Sequence, residues 1–152
     1  MILFLTQQSE LKSQILEGRY ITHPKIESLL YDFNHKQVGT SAKGLPVHVL
    51  TMGNGPIKVL MWSQMHGNES TSTKGIMDVL YFLKANPRLL TPFTIQLIPM
   101  LNPDGAAAYT RVNANAIDLN RDAQQQSQPE TLTLFKVYDA FQPDYCFNLH
   151  DQ

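Results

Sequence analysis

Apolar residues along the 152-residue chain recur with two spacings, and each spacing predicts a different kind of element. Near the start they return every three or four residues: Leu11, Ile15 and Leu16 make one stripe, and Ile26, Leu29, Leu30 and Phe33 another. That spacing predicts two short helices, over 6–17 and 23–34, with Gly18 and His23-Pro24 as punctuation between them. Val38 to Ser41 and Pro46 to Met52 then read as a β-hairpin around Ala42-Lys43-Gly44-Leu45, followed by a turn at Gly53-Asn54-Gly55-Pro56. A buried strand from Ile57 to Ser63 leads into a helix from about Ser70 to Ala85. Ile76, Val79, Leu80 and Leu83 line one face of that helix with Met77 and Tyr81 beside them, a width that predicts cover on more than one side. Phe93 to Leu101 reads as a central strand, with Pro99 near its end. Residues 102–128 are polar and aperiodic, and close on a Gln-rich run. A loop of that length inside a domain is expected to be functional or disordered. Pro129 to Phe141 reads as a helix, and Tyr145 to Leu149 as a second buried strand with Cys146 packed in its interior.

The order strand–helix–strand–loop–helix–strand after a hairpin predicts an α/β fold: a mixed parallel/antiparallel sheet flanked by helices. Residues 1–37 form an N-terminal helical segment in this reading, and 38–152 the α/β portion. Twelve basic against thirteen acidic residues leave a net charge of −1, which argues against an electrostatic nucleic-acid binder and a polybasic membrane anchor. The single cysteine excludes an internal disulfide and turns metal chemistry toward His and carboxylate ligands. Met1 to Gln8 lacks the basic start of a signal peptide, and no run is long enough to span a bilayer, so a cytoplasmic location is expected if Met1 is the native start.

The candidate chemistry gathers at strand ends. His66 and Glu69 follow the strand 57–63 at the turn into a helix, and residues three apart share a face once the chain turns helical. Open α/β sheets put ligand sites at such carboxyl ends. His150 ends the last strand, and two imidazoles with one carboxylate make a ligand set for catalytic zinc. The plainer alternative is that His66 and Glu69 decorate a turn and His150 merely ends a strand. Asn102-Pro103-Asp104-Gly105 suits a type I turn. Asp118-Leu119-Asn120-Arg121-Asp122 packs two carboxylates, an amide and a guanidinium into the polar loop; Asn120 with Arg121 can grip a carboxylate, and Asp118 can hold a ligand histidine by its second nitrogen. A solvated loop with local salt bridges is the alternative there. His23, His35 and His48 read as structural or surface residues, and Trp62 as core beneath the site.

Five clusters in this order, His66-Gly67-Asn68-Glu69, Asn102-Pro103-Asp104-Gly105, Tyr109 to Asn115, Asp118 to Asp122 and Asn148-Leu149-His150-Asp151, resemble the zinc carboxypeptidase (M14) family over about residues 38–152. The resemblance implies a zinc-carboxypeptidase-like fold, represented by the N-terminal part of its catalytic domain and incomplete at the C-terminus. It also implies one Zn²⁺ held by His66, Glu69 and His150, with Asp118 partnering His66. Asn120 and Arg121 would bind the terminal carboxylate of a peptide substrate, and Arg111 would stabilise the oxyanion. The family's general-base glutamate lies beyond the second ligand histidine. Glu130, the only glutamate after Glu69, sits at a helix start where the dipole accounts for it. Residues 1–152 alone are therefore expected to bind zinc without turning over peptide, and to self-associate through uncovered sheet surface. Two rivals share the features: an N-acyl amino acid deacylase of the aspartoacylase or succinylglutamate desuccinylase type, and a non-catalytic zinc- or peptide-binding module.

Overall fold

The computed structural model describes Leu16 and residues 18–151, so the helix expected over 6–17 lies outside the described residues except at Leu16. Helix α1 (His23–Leu30) starts with Pro24 in its first turn and ends four residues earlier than the periodicity suggests. Strand β1 (His35–Thr40) begins soon after it, inside the segment read as helical to residue 37. It pairs antiparallel with β2 (Pro46–Gly53) across a bulge between Gln37 and Gly39. Strand β3 (Ile57–Ser63), helix α2 (Thr71–Ala85) and strand β4 (Phe93–Ile98) follow. Short helices α3 (Pro103–Ala108) and α4 (Leu119–Asp122), helix α5 (Pro129–Phe141) and strand β5 (Tyr145–Leu149) complete the order.

One five-stranded sheet runs β1-β2-β4-β3-β5, antiparallel on the hairpin side and parallel where β3 pairs with β4 and with β5. Side chains alternate across it, and each face has its own core. Leu50 and Leu97 meet Ile26, Leu29 and Leu30 of α1 and Ile76, Met77 and Leu80 of α2 on one face. Val47, Val49, Leu60 and Ile98 meet Leu134, Val137 and Phe141 of α5 on the other. The result is a helix–sheet–helix sandwich with helices packed on both faces of a mixed sheet.

Three sequence readings change here. Helix α2 is covered on one side only, with Val79 exposed. Among the described residues strand β5 forms the sheet edge where a buried strand was expected, and Tyr145 and Phe147 on it are 59% and 47% exposed. Cys146 is likewise exposed rather than part of the interior. Alternation of apolar residues identifies a strand but not what lies against its faces.

Candidate metal centre

Strand β3 is the point where the chain reverses its direction of travel across the sheet. It is flanked by β4, reached through α2 on one face, and by β5, reached through α5 on the other. A crevice opens at the carboxyl end of β3 because the connection to β4 passes over one face and the connection from β4 to β5 passes over the other. The chain leaves β3 through Gln64, a non-glycine residue in the left-handed region at φ 48°. Gln64 is buried, and its side chain locks the turn: Nε2 donates to the carbonyls of Ile21 and Gly67 at 3.0 and 2.8 Å, and Oε1 accepts from Thr73 Oγ1 at 2.8 Å. Strain of this kind persists where the surroundings over-determine it.

Gly67 packs directly on α3. A Cβ added to it would lie 1.9 Å from the carbonyl carbon of Gly105, a backbone atom with no room to move aside. Gly67→Ala is therefore expected to destabilise the protein by roughly 3 kcal/mol through overpacking. A urea unfolding midpoint checks this; an unchanged midpoint would mean that the turn and α3 separate freely.

The turn delivers His66 and Glu69 to the crevice, and β5 delivers His150. His66 is almost fully buried, and its Nδ1 lies 2.8 Å from Glu69 Oε1 while its Nε2 lies 3.0 Å from Asp118 Oδ1. Glu69 Oε2 lies 2.8 Å from His150 Nδ1 and accepts the Asp151 amide at 3.2 Å. The two imidazole centroids are 4.8 Å apart. One ligand atom each from His66, Glu69 and His150 falls within 4.8 Å of the other two. Asp151 closes the arrangement: its carboxylate accepts the Thr71 and Ser72 amides at 2.8 and 3.0 Å, tying the end of β5 to the first turn of α2.

Arg111 reaches over this group, with Nε 3.0 Å from Asp118 Oδ2 and Nη1 3.4 Å from Glu69 Oε1. Burial on its own would raise the Glu69 carboxyl. Hydrogen bonds from His150 and His66, the Asp151 amide and the His66 charge outweigh it and hold Glu69 below its ordinary value. Asp118 is balanced in the same way: burial raises it, but hydrogen bonds from His66, Arg111 and the Asn120 amide, with the His66 charge, bring it below the usual carboxylate value. Both are thus anionic acceptors at neutral pH.

This donor set suits a cation. His66 stands between two carboxylates, with Nε2 toward Asp118 and Nδ1 toward Glu69; in the neutral tautomer protonated on Nε2, the Nδ1 lone pair faces a Glu69 oxygen. In that tautomer lone pair opposes lone pair unless a positive centre, a proton or a metal ion, sits between them. A divalent ion removes the conflict, and two nitrogens with a carboxylate form a zinc-type set that leaves a position open.

Residues 102–128 supply the wall, and they are not a featureless loop. Asn102-Pro103-Asp104-Gly105 is no free-standing turn but the start of α3: Asn102 caps it, its Oδ1 accepting the Gly105 amide at 2.9 Å, and its Nδ2 donates to the Met65 carbonyl at 3.2 Å. Asp118 caps α4 by accepting the Asn120 amide at 2.9 Å while it holds His66. Asn120 is half-buried and Arg121 exposed on α4. The Gln-rich run is organised by Asp122, only 3% exposed, which accepts the Ser127 amide and hydroxyl and the Gln128 amide.

Burial would raise the Asp122 carboxyl, but these hydrogen bonds pull it below the ordinary value. A depressed folded value contributes stability that is fully present above the unfolded carboxyl value of about 3.9 and is lost as pH falls through the folded value. Asp122→Asn is expected to cost about 1–3 kcal/mol at pH 7, and to flatten the acid limb of stability against pH. Denaturant titrations from pH 7 to pH 2 measure both effects, and a variant with an unchanged acid limb would contradict the assignment.

The structure brings His66, Glu69, His150, Asp118 and Arg111 into one contact group, and sets Asn120 and Arg121 on the adjoining helix. His23, His35 and His48 cluster elsewhere, with ring centroids 5.9 and 5.6 Å apart around His48. Trp62 packs partly buried against the core under α5, as its reading as core has it. Sequence reasoning passed over Gln64 and Asp151. Their signals were a lone glutamine between a strand and the histidine, and a carboxylate beside the second histidine.

Known proteins resemble this chain in sequence and in fold. The family model described as zinc carboxypeptidase matches residues 32–146. Carboxypeptidase 2 of Trichophyton rubrum is 29% identical over 100 residues, covering 62% of this chain and 19% of that protein. Carboxypeptidase SOL1 of Arabidopsis thaliana is 24% identical over 144 residues, covering 81% and 29% respectively. In fold, the chain is similar to a metallo-carboxypeptidase from Burkholderia cenocepacia, with a TM-score of 0.77 at 22% identity, covering 87% of this chain and 41% of that one. A carboxypeptidase A from Helicoverpa armigera gives a TM-score of 0.75 at 16% identity, with 99% and 53% covered. The chain thus spans about a fifth of the Trichophyton relative and about two fifths of the Burkholderia structure.

Proposed function

The chain belongs to the zinc carboxypeptidase family, and from that premise we propose that it carries the metal-binding half of a metallocarboxypeptidase acting on peptides with a free C-terminal carboxylate. The observation that carries this reading is the convergence of His66, Glu69 and His150 from two different strand ends onto one point. These three residues would hold one zinc ion. When bound, zinc supplies Lewis acidity, acidifying a water and polarising a carbonyl oxygen.

The remaining work falls to this chain's own side chains. Asp118 holds the His66 proton on Nε2 and orients the ring. Arg111 is half exposed and carries positive charge at the rim of the crevice, where a carbonyl oxygen turning anionic would gain a charged hydrogen bond. Asn120 and Arg121 stand on α4, beyond Asp118, where a planar guanidinium and an amide can take the substrate's terminal carboxylate. No general base is assigned among the described residues, so hydrolysis is proposed for the whole protein.

Isothermal titration of the metal-free chain with zinc should give one equivalent bound, and the chain alone should show no peptidase activity above background. The whole protein should release C-terminal residues from a peptide ladder and leave N-acetyl-aspartate intact. Cleavage of N-acetyl-aspartate in preference to the ladder would replace this reading with a deacylase, and zinc binding without either activity would replace it with a binding module.

A further inference from the structure

Glu130 occupies the second position of α5 and is completely buried, at 0% exposure. A carboxylate at a helix start normally faces water and gains from the dipole. This one instead bridges two distant segments. Its Oε1 accepts the Ala42 amide of the β1–β2 hairpin at 2.9 Å, and its Oε2 accepts from Asn113 Nδ2 at 3.1 Å.

Asn113 is also buried, 3% exposed, and every polar atom of its side chain is used. Its Nδ2 donates a second time, to Gln128 Oε1 at 2.9 Å, and its Oδ1 accepts the amides of Asn115 and Ile117 at 3.0 and 3.1 Å. Its own amide donates to the Ile117 carbonyl at 2.9 Å. Two backbone amides on Oδ1 fix the orientation of the side chain, so Nδ2 must face the carboxylate.

The placement of this pair matters because of what flanks it. Arg111 lies two residues before Asn113, and Asp118 immediately follows Ile117. Those two residues are the ones that reach His66 and Glu69 from this loop, at 3.0 to 3.4 Å. The loop 111–118 is therefore cinched at its middle by Asn113, and Asn113 is anchored to the sandwich by Glu130.

We propose that Glu130 and Asn113 are positioning residues that set the reach of Asp118 and Arg111 toward His66 and Glu69. The inference rests on the reading of His66 and Glu69 as metal ligands for its consequence, but not for its geometry. Glu130→Gln keeps the shape and the acceptor for Ala42 while turning an amide NH₂ toward Asn113 Nδ2. Donor then faces donor in a buried site, and the loop must shift. Adding Asn113→Asp restores a donor–acceptor pair with the polarity reversed and keeps the acceptor for Asn115 and Ile117; the Gln128 amide, whose Oε1 faces Asn113 Nδ2 at 2.9 Å, turns over to donate in its place.

The test uses the 152-residue chain with three readouts: the His66 Nε2–H resonance in long-range ¹H–¹⁵N spectra of the metal-free protein, zinc affinity by competition with a chromophoric chelator, and the melting temperature. Glu130→Gln is expected to broaden or shift the His66 Nε2–H signal and to weaken zinc binding about 10- to 100-fold, as loss of a ligand's outer partner does. The double variant is expected to recover both. A Glu130→Gln protein that melts lower but keeps the wild-type His66 signal and zinc affinity would overturn the proposal, as would a folded double variant that recovers neither. Should Glu130→Gln not fold, Glu130→Asp, which withdraws the carboxylate by one methylene, supplies the same comparison. A wild-type chain that binds no zinc would sink the functional reading alone, because the His66 signal still decides the positioning role.

Discussion

Replacing His150 with alanine is expected to weaken zinc binding roughly a thousandfold while leaving the chain folded. Zinc sites in proteins are worth about 10–16 kcal/mol near neutral pH, so one of three protein ligands carries on the order of 4 kcal/mol. His150 is the right ligand to remove first because it sits at the end of an edge strand and is 29% exposed in its side chain, so its loss opens no cavity in either core. His66→Ala should cost as much in affinity and more in stability, since that ring is buried between Glu69 and Asp118. Asp118→Asn should cost less, about 10- to 100-fold, because Asp118 holds the ring and not the metal. His48→Ala supplies the control: it belongs to the separate histidine cluster, and its affinity should match the wild type. Chelator competition on the four variants, with circular dichroism to confirm folding, gives the ranking. Wild-type affinity in His150→Ala would remove the metal centre from this face of the sheet.

Arg111→Ala in the whole protein is expected to lower kcat about 10²- to 10³-fold with KM little changed, the signature of a charge used only as negative charge develops. The guanidinium is already aimed by Asp118 at 3.0 Å and stays half exposed, so it can turn toward a bound carbonyl without unfolding its loop. Arg111→Lys should restore only part of the rate, because a single ammonium cannot bond Asp118 and a substrate oxygen in the same planar fork. Steady-state kinetics on a C-terminal dipeptide series measures this. A loss confined to KM would make Arg111 a substrate-binding residue and not a rate-determining one.

Local pattern carried much of this fold. The apolar run ending at Ser63, the helix behind Pro129 and the strand Tyr145–Leu149 appear with the boundaries read from periodicity. Helix α3 was illegible because Asp104-Gly105-Ala106-Ala107-Ala108 has no amphipathic period and begins with a sequence that equally suits a turn. The deciding contacts are tertiary: Gly105 is held against Asn102 and Val112, where a Cβ would come within 2.5 and 2.7 Å of their atoms. The exposure of β5 follows from strand order, which puts it at the edge among the described residues and which no local pattern encodes.

The candidate site divides in the same way. His66 and Glu69 were legible from three-residue spacing at a strand end, and His150 from its place at the end of the last strand, with the family resemblance joining the three. That Asp118 meets the far nitrogen of His66 depends on a loop whose shape is set by Asn113, Asp122 and Glu130. The burial of Glu130 and its long-range partners were the least legible part. The helix dipole explains a carboxylate there well enough that nothing in the sequence prompts a search for Ala42, 88 residues away.

The account depends on a single ion being gathered by two strand ends and the turn that follows one of them. Crystals of the 152-residue chain grown with zinc, measured on both sides of the zinc absorption edge, test this directly. The expected result is one anomalous peak per molecule, bounded by His66, Glu69 and His150, and absent from His150→Ala crystals. A peak at the His23, His35 and His48 cluster instead, or none within coordination distance of Glu69, would contradict it.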